Sequence, residues 1–202
     1  MRMHVYQAKT FSIPPLDGIS EESVKQHIGL YEGYVKNFNA MSKQVAELAV
    51  EDADKYAHPV SELMRRRSFE FDGMRLHEYY FAQLEGGSTP LTINGPLAKT
   101  LAEKYSPYGI EKVMTMMGNI RGPGWAILYW DPEAKEPLMS FVGEQHQGHL
   151  VTLPIILALD VWEHSYILDY GALPAGKAKY IEAFFKNVNW GVVEERFAAY
   201  TS

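Results

Sequence analysis

The sequence contains no cysteine among its 202 residues. This absence excludes disulfides, thiolate zinc sites, thiolate catalysis and iron–sulfur clusters, because each of these needs a cysteine sulfur. Any bound metal must therefore be held by histidine, aspartate or glutamate side chains. A chain without cysteine also gives no indication of the redox compartment in which it works.

Long apolar runs and an excess of positive charge are also missing. No stretch reaches the roughly 18 apolar residues that a membrane-spanning helix needs. Residues Met1 to Tyr6 lack the apolar core of a signal peptide, so we expect a cytoplasmic protein without a membrane partner. The net charge of −6 gives no support to a nucleic-acid partner. An anionic substrate is compatible with it, because the field in a cleft can oppose the net charge.

Two long helices are predicted in the first part of the chain. Ser20 is a suitable N-cap, and apolar residues then recur at three- and four-residue spacing on a helix that continues toward Ala57. A second helix is predicted from about Ser61 to Leu84. The two helices would form an antiparallel hairpin, which we take as an N-terminal domain of residues 1–87.

The second part of the chain alternates helical and strand patterns after a predicted linker at residues 88–95. Helices are predicted at 96–104, 109–117, 177–186 and 191–200, and strands at 125–130, 138–142 and 150–159. The expected fold class is therefore α+β. The N-terminal antiparallel helical hairpin would precede a domain at residues 96–202, in which helices surround a small three-stranded antiparallel sheet.

A candidate metal site begins with Asp160 and His164, which lie four residues apart directly after the apolar run 153–159. A buried carboxylate is unfavourable unless it is paired or binds a metal, and aspartate with histidine suits a first-row transition ion. His27 and His77 each lie on the apolar face of one predicted helix. A lone histidine there is more often a hydrogen-bonded core residue, but two of them on facing helices favour ligation.

Four motifs resemble those of the iron/manganese superoxide dismutases. Residues 160–166 (DVWEHSY) are similar to the family's D-x-W-E-H-x-Y signature, and 77–81 (HEYYF) to its second-helix ligand motif. Residues 122–125 (GPGW) and 189–190 (NW) resemble two further motifs. The resemblance implies a homodimer or dimer of dimers that converts superoxide to dioxygen and hydrogen peroxide. It assigns one iron or manganese ion per subunit to His27, His77, Asp160 and His164.

The first helix departs from the family pattern. The family's first ligand lies eight residues before the gateway tyrosine, whereas His27 lies seven before Tyr34 and Gln26 occupies the eighth position. A seven-residue spacing keeps both side chains on one face of a regular helix, while eight requires a π-bulge. We expect a regular helix with His27 as ligand. The alternative is a degenerate, non-enzymatic relative with a weakened metal site.

The resemblance also assigns roles around the metal. Tyr34 would gate substrate entry and pass protons, and Trp125 and Trp162 would keep the site dry. Leu30 and Ile167 replace a polar pair that meets across the family's dimer interface, so we expect these two residues to be in contact there. Glu163 would reach His164 of the partner subunit.

One more side chain should hydrogen-bond the metal-bound solvent. The family takes it from a glutamine four residues before the second-helix ligand, where this chain has Gly73, or from a glutamine or histidine upstream of the third strand. The stretch 144–149 must then supply it, with His146 as the first candidate and Gln145 as the second. The alternative interpretation of this stretch is a polar loop with solvated histidines. Either iron or manganese is compatible with these residues as the bound metal.

Two further points follow from the sequence. The family's arginine near the substrate entrance is missing, and Lys177 or Lys179 would have to replace it.

A mononuclear iron oxygenase with two histidines and one carboxylate is a third class to consider. That class needs a pocket for an organic substrate, and the aromatic residues expected around the site argue against one.

Overall fold

Two long helices, α1 (Glu21–Glu51) and α2 (Ala57–Ala82), form an antiparallel hairpin in the computed structural model, which describes residues 4–201. The hydroxyl of Ser20 accepts the N–H of Ser23 at 3.1 Å and caps α1 as predicted. Residues 21–51 are α-helical throughout, without a π-bulge.

The hairpin turn lies earlier in the chain than we predicted. The first helix ends at Glu51 rather than continuing toward Ala57, and α2 begins at Ala57 rather than near Ser61. Pro59 therefore lies in the first turn of α2. Proline is tolerated there because the first N–H groups of a helix have no partner within the helix.

The remaining elements form an α+β arrangement, which confirms the predicted fold class. Within the described residues they are α3 (Pro96–Tyr105), α4 (Ile110–Gly118), β1 (Gly124–Asp131), β2 (Glu136–Gly143), β3 (Ile155–Asp160), α5 (Ile167–Tyr170), α6 (Pro174–Asn187) and α7 (Trp190–Thr201). A short 3-10 turn at Glu163–Ser165 precedes α5. The strands form an antiparallel sheet in the order β2-β1-β3.

The third strand is shorter than the sequence pattern indicates. It begins at Ile155, not at residue 150, because the intervening backbone turns: Thr152 has a φ of 68° and the amide of Leu153 donates to the carbonyl of Leu150. Pro154 follows and has no N–H to donate to a neighbouring strand. The apolar run therefore divides into a turn and a buried strand.

The central strand β1 is almost completely buried, and its register places the end of the sheet beneath the hairpin. Trp125 at the start of β1 is paired with Val142 of β2 and with Asp160, the last residue of β3. The C-terminal half of α2 packs against β3. Side chains from both helices and from the end of β3 can therefore meet in one buried space. None of the helices in the described range is both long and apolar enough to cross a membrane.

Candidate metal centre

Three imidazoles and one carboxylate converge in this buried space. They belong to His27 of α1, His77 of α2, Asp160 at the end of β3 and His164 of the 3-10 turn, and their ligand atoms all lie within 4.8 Å of one another. The Nε2 atoms of His27, His164 and His77 lie 3.1, 3.2 and 3.6 Å from Oδ2 of Asp160. Among residues 4–201, no other set of potential ligands converges in this way.

The two oxygens of Asp160 have separate roles. Oδ1 accepts the backbone N–H of Trp162 at 2.8 Å, which leaves Oδ2 directed at the three imidazoles. The hydroxyl of Ser165 donates to the carbonyl of Trp162 at 2.7 Å and stabilises the turn that carries His164. The four-residue spacing of Asp160 and His164 thus produces a tight turn that directs both side chains to one point.

The tautomer of His77 is determined by its environment. Its Nδ1 lies 2.6 Å from the carbonyl oxygen of Gly73, which can only accept, so Nδ1 carries the proton. Burial, followed by repulsion from His27, lowers the pKa of His77 to about 3, and the ring is neutral near pH 7. Its Nε2 is then a buried acceptor without a hydrogen-bond partner.

The site fits a transition-metal ion in both charge and ligand type. An unsatisfied buried acceptor such as Nε2 of His77 costs about 1–3 kcal/mol, which coordination to a metal would offset. Burial opposes ionisation of Asp160, but His164 and His27 outweigh it and lower the pKa of this carboxyl. One carboxylate and neutral nitrogen donors suit iron or manganese, and donors bound about 2.1 Å from one ion lie roughly 3 Å apart when adjacent.

Aromatic rings surround the four ligands. Trp125 meets His77 edge-to-face at 5.1 Å, and Trp162 stacks on His164 at 5.7 Å between ring centroids. Phe81 lies 4.9 Å from the ring of His27. These contacts support the predicted walling of the site by Trp125 and Trp162, since rings packed in this way leave little space for water.

Gln145 lies beside the ligands and uses both ends of its amide. Its Nε2 donates to the hydroxyl of Tyr34 at 2.9 Å, and its Oε1 accepts the indole N–H of Trp125 at 2.8 Å. The Gln145 side chain is completely buried. Burial raises the pKa of the Tyr34 hydroxyl above its ordinary value, so Tyr34 stays protonated near neutral pH.

The neighbouring His146 makes different contacts from Gln145. Its ring meets Phe69 edge-to-face at 5.6 Å, and its Nδ1 lies 3.9 Å from a carboxylate oxygen of Glu144. The sequence alone did not show which of His146 and Gln145 faces the site. Both lie in a loop, where side chains do not point in regularly repeating directions as they do in helices and strands.

The residues assigned to a subunit interface are all at the surface of the single chain. Leu30 is 43% exposed and Ile167 is 46% exposed, and Glu163 is also exposed. Lys177, in contrast, is buried, and its ammonium group donates to the carbonyl of Ile120 at 2.9 Å. The interface assignments stay predictions, whereas Lys177 contributes little charge at the surface.

Three groups at the site had no assigned role in the sequence interpretation. The carbonyl of Gly73 sets the His77 tautomer, and the hydroxyls of Tyr180 and Tyr80 form a 3.1 Å hydrogen bond behind His27. Tyr80 lies in the His77 motif, but nothing in the sequence indicates Tyr180, which comes from α6 one hundred residues later.

Comparison with known proteins agrees with this geometry. Residues 94–196 match a family model described as iron/manganese superoxide dismutases, C-terminal domain. A protein of Saccharolobus solfataricus named as an iron superoxide dismutase is 30% identical, in an alignment that covers 96% of each chain. One of Aquifex aeolicus with the same name is 31% identical over 98% of this chain and 93% of its own. A protein of Haloferax volcanii named as a manganese superoxide dismutase is 32% identical over 89% and 87% of the two chains.

Proposed function

The chain belongs to the iron/manganese superoxide dismutase family, and we propose that it is a superoxide dismutase with one iron or manganese ion per subunit. The convergence of His27, His77, Asp160 and His164 carries this proposal. The chemistry that such an ion supplies is one-electron transfer, from one superoxide anion and to a second. Two superoxide anions and two protons give one dioxygen and one hydrogen peroxide.

The ligand set is suited to hold the ion tightly and to limit its charge. The Asp160 carboxylate is the one anionic donor among the four, and its Oδ2 contacts the imidazoles of His27 and His164. Neutral imidazoles neutralise none of the charge of the ion, so the site stays attractive to a small anion. Of the four ligand residues, His164 is the least buried, and substrate would approach from its side.

Proton supply is the task that we assign to Tyr34 and Gln145. The Tyr34 hydroxyl is protonated and receives a hydrogen bond from the Gln145 amide, which fixes its oxygen beside the ring of His77. We assign the contact with metal-bound solvent to Gln145 rather than His146, because the Gln145 amide is held between Tyr34 and Trp125. His146 is the second candidate for this role.

A homodimer completes the proposal. Leu30 and Ile167 are large apolar side chains that are nearly half exposed in one subunit, and burying them against a second copy would remove that apolar surface from water. Glu163 lies between the ligands Asp160 and His164 in sequence and would contact His164 of the partner subunit. A cytoplasmic location stays a prediction, which fractionation of cells that make the native protein would test.

The test is expression of the chain in media with either iron or manganese alone. Metal content by mass spectrometry and the superoxide dismutation rate are measured on each preparation. We expect about one ion per subunit and activity with at least one metal, lost on chelation and regained on reloading. A fully loaded protein without activity for either metal would overturn the proposal in favour of the degenerate relative.

A further inference from the structure

The loop that carries Gln145 is held in a conformation that its own sequence does not favour. Glu144 has a φ of 53°, in the left-handed region that a residue with a side chain rarely adopts. Gly143 and Gln147 exchange two backbone hydrogen bonds of 2.8 and 3.1 Å across the turn. A backbone of this kind persists only when surrounding groups hold it in place.

One of these groups is His149, four residues beyond Gln145. Its Nε2 lies 3.1 Å from the backbone carbonyl oxygen of Gln145, and its Nδ1 lies 2.8 Å from the hydroxyl of Tyr129. The carbonyl can only accept, so Nε2 carries the ring proton. A neutral ring then accepts the Tyr129 hydroxyl proton at Nδ1. Both hydrogen bonds are therefore made by the same tautomer of His149, the one with its proton on Nε2.

Tyr129 provides a rigid attachment for this histidine. It lies on the central strand β1 and is almost fully buried. A set of three hydrogen bonds therefore links β1 to Tyr34, whose ring lies against that of His77. Tyr129 bonds to His149, His149 bonds to the backbone of Gln145, and the Gln145 side chain bonds to Tyr34.

We propose that His149, held by Tyr129, is a positioning residue that fixes the Gln145 amide relative to Tyr34 and the metal ligands. The set of hydrogen bonds transmits position rather than protons, because the backbone carbonyl of Gln145 carries no transferable proton. This inference rests on the proposed role of Gln145 in superoxide dismutation. Positioning groups of this kind typically change activity or metal affinity by about 10- to 100-fold when removed.

The central test compares two substitutions of His149 in the metal-loaded protein. His149→Phe keeps a ring but loses both hydrogen bonds, whereas His149→Gln offers an N–H donor and an oxygen acceptor at similar reach. We expect His149→Phe to lower the dismutation rate per bound ion about tenfold and to shift the reduction potential of the ion. His149→Gln should restore most of the rate and return the potential toward the wild-type value.

A control substitution at an exposed histidine and a substitution of Tyr129 accompany this test. His58→Phe changes an exposed histidine of α2 and should alter neither rate nor potential. Tyr129→Phe removes the hydroxyl that orients the His149 ring and should act in the same direction as His149→Phe. Because both changes break one connection, the double variant should be no slower than His149→Phe alone.

The outcomes separate this inference from the proposed function. A loaded wild-type protein without activity contradicts the proposed function itself. An active wild type whose potential is unchanged by His149→Phe, or in which His149→Gln is no better than His149→Phe, overturns the positioning role alone. If His149→Phe does not fold, Tyr129→Phe and His149→Gln decide: an unchanged potential in the first, or a rate as low as that of Gln145→Ala in the second, counts against the inference.

Discussion

The ring of Tyr34 fills the space that a side chain at Gly73 would occupy. A Cβ on Gly73 would lie 2.6 Å from Cδ1 of Tyr34, which is far inside van der Waals contact. The carbonyl of the same glycine accepts the Nδ1–H of His77. One residue of α2 therefore positions both Tyr34 and the candidate ligand His77, and glycine is required there for space rather than for backbone freedom.

Gly73→Ala should accordingly displace Tyr34 and weaken its hydrogen bond to Gln145. Alanine is favoured over glycine within a helix by about 0.5–1 kcal/mol, which would partly offset the cost of the clash. We expect a loss of dismutation rate with a small change in the free energy of unfolding, measured on the loaded protein by stopped flow and by denaturant titration.

Gly29→Ala is the matched control for that substitution. Gly29 also lies within a helix, is exposed, and has open space where a Cβ would stand. It should stabilise the protein by about 0.5–1 kcal/mol without changing the rate. Equal activity of the two alanine variants would show that Tyr34 does not depend on Gly73 for its place.

The seven-residue spacing of His27 and Tyr34 gives a second prediction. In the regular helix α1, residue 27 is buried against Asp160 while Gln26 is exposed. His27→Gln should abolish stable metal binding. Adding Gln26→His, which recreates the family's eight-residue spacing, should not restore it, because the new imidazole would lie on the solvent side of the helix.

Metal content and dismutation rate are measured on the single and double variants, with His58→Gln as a control for loss of an exposed histidine. Recovery of metal and activity in the double variant would mean that α1 can rearrange to include a π-bulge. The geometric account of His27 would then be wrong, although the family assignment would stand.

The metal-free protein should lose stability in acid. Burial holds the pKa of His77 at about 3, below its ordinary value of 6.5, and it lowers the pKa of His27 as well. The unfolded chain therefore binds more protons than the folded one between about pH 6.5 and 3. The contribution of His77 is complete above this window, and stability falls as the pH drops through it by about 1.4 kcal/mol per pH unit for this histidine. Protonation of His27 acts in the same direction.

Denaturant titrations of the metal-free protein at a series of pH values measure this slope. His77→Gln removes one of the two groups and should make the dependence on pH shallower than in the wild type. A slope that is identical in wild type and variant would show that His77 is not held neutral in the folded protein.

The fourth prediction concerns the subunit interface. If Leu30 and Ile167 meet across it, Leu30→His or Ile167→Tyr alone would bury one polar group without a partner, at a cost of about 1–3 kcal/mol. Each single variant should dissociate at a higher protein concentration than the wild type. The double variant should recover much of the affinity, because the two polar groups can hydrogen-bond each other.

Analytical ultracentrifugation over a concentration series gives the dissociation constants. Val50→Asp, at an 88% exposed position near the end of α1, serves as the control and should dissociate as the wild type does. A monomeric wild type, or single variants that dimerise normally, would remove Leu30 and Ile167 from the interface.

The sequence was sufficient to predict those parts of the protein in which apolar residues recur at regular spacing or a specific motif is present. The stripe containing His27 predicted α1 and the buried face of that helix, and Asp160 and His164 after an apolar run predicted two donors for one metal ion. Both predictions rest on local geometry, which is visible in the spacing of residues along the sequence. The structure brings these residues together as the pattern indicates.

What the sequence could not predict depends on irregular backbone or on contacts between distant segments. The apolar run before Asp160 does not reveal the turn at Thr152, because turn and buried strand can have the same composition. The directions of the Gln145 and His146 side chains depend on a loop with a left-handed residue at position 144. The burial of Lys177 depends on the carbonyl of Ile120, which lies in another part of the chain.

The most direct test of the central claim is anomalous diffraction from crystals of the loaded protein, recorded at the absorption edge of iron or manganese. We predict one peak per subunit, bounded by the Nε2 atoms of His27, His77 and His164 and by Oδ2 of Asp160. A protein that contains metal by chemical analysis but shows no peak there, or a peak from which His27 is turned away, would contradict the account.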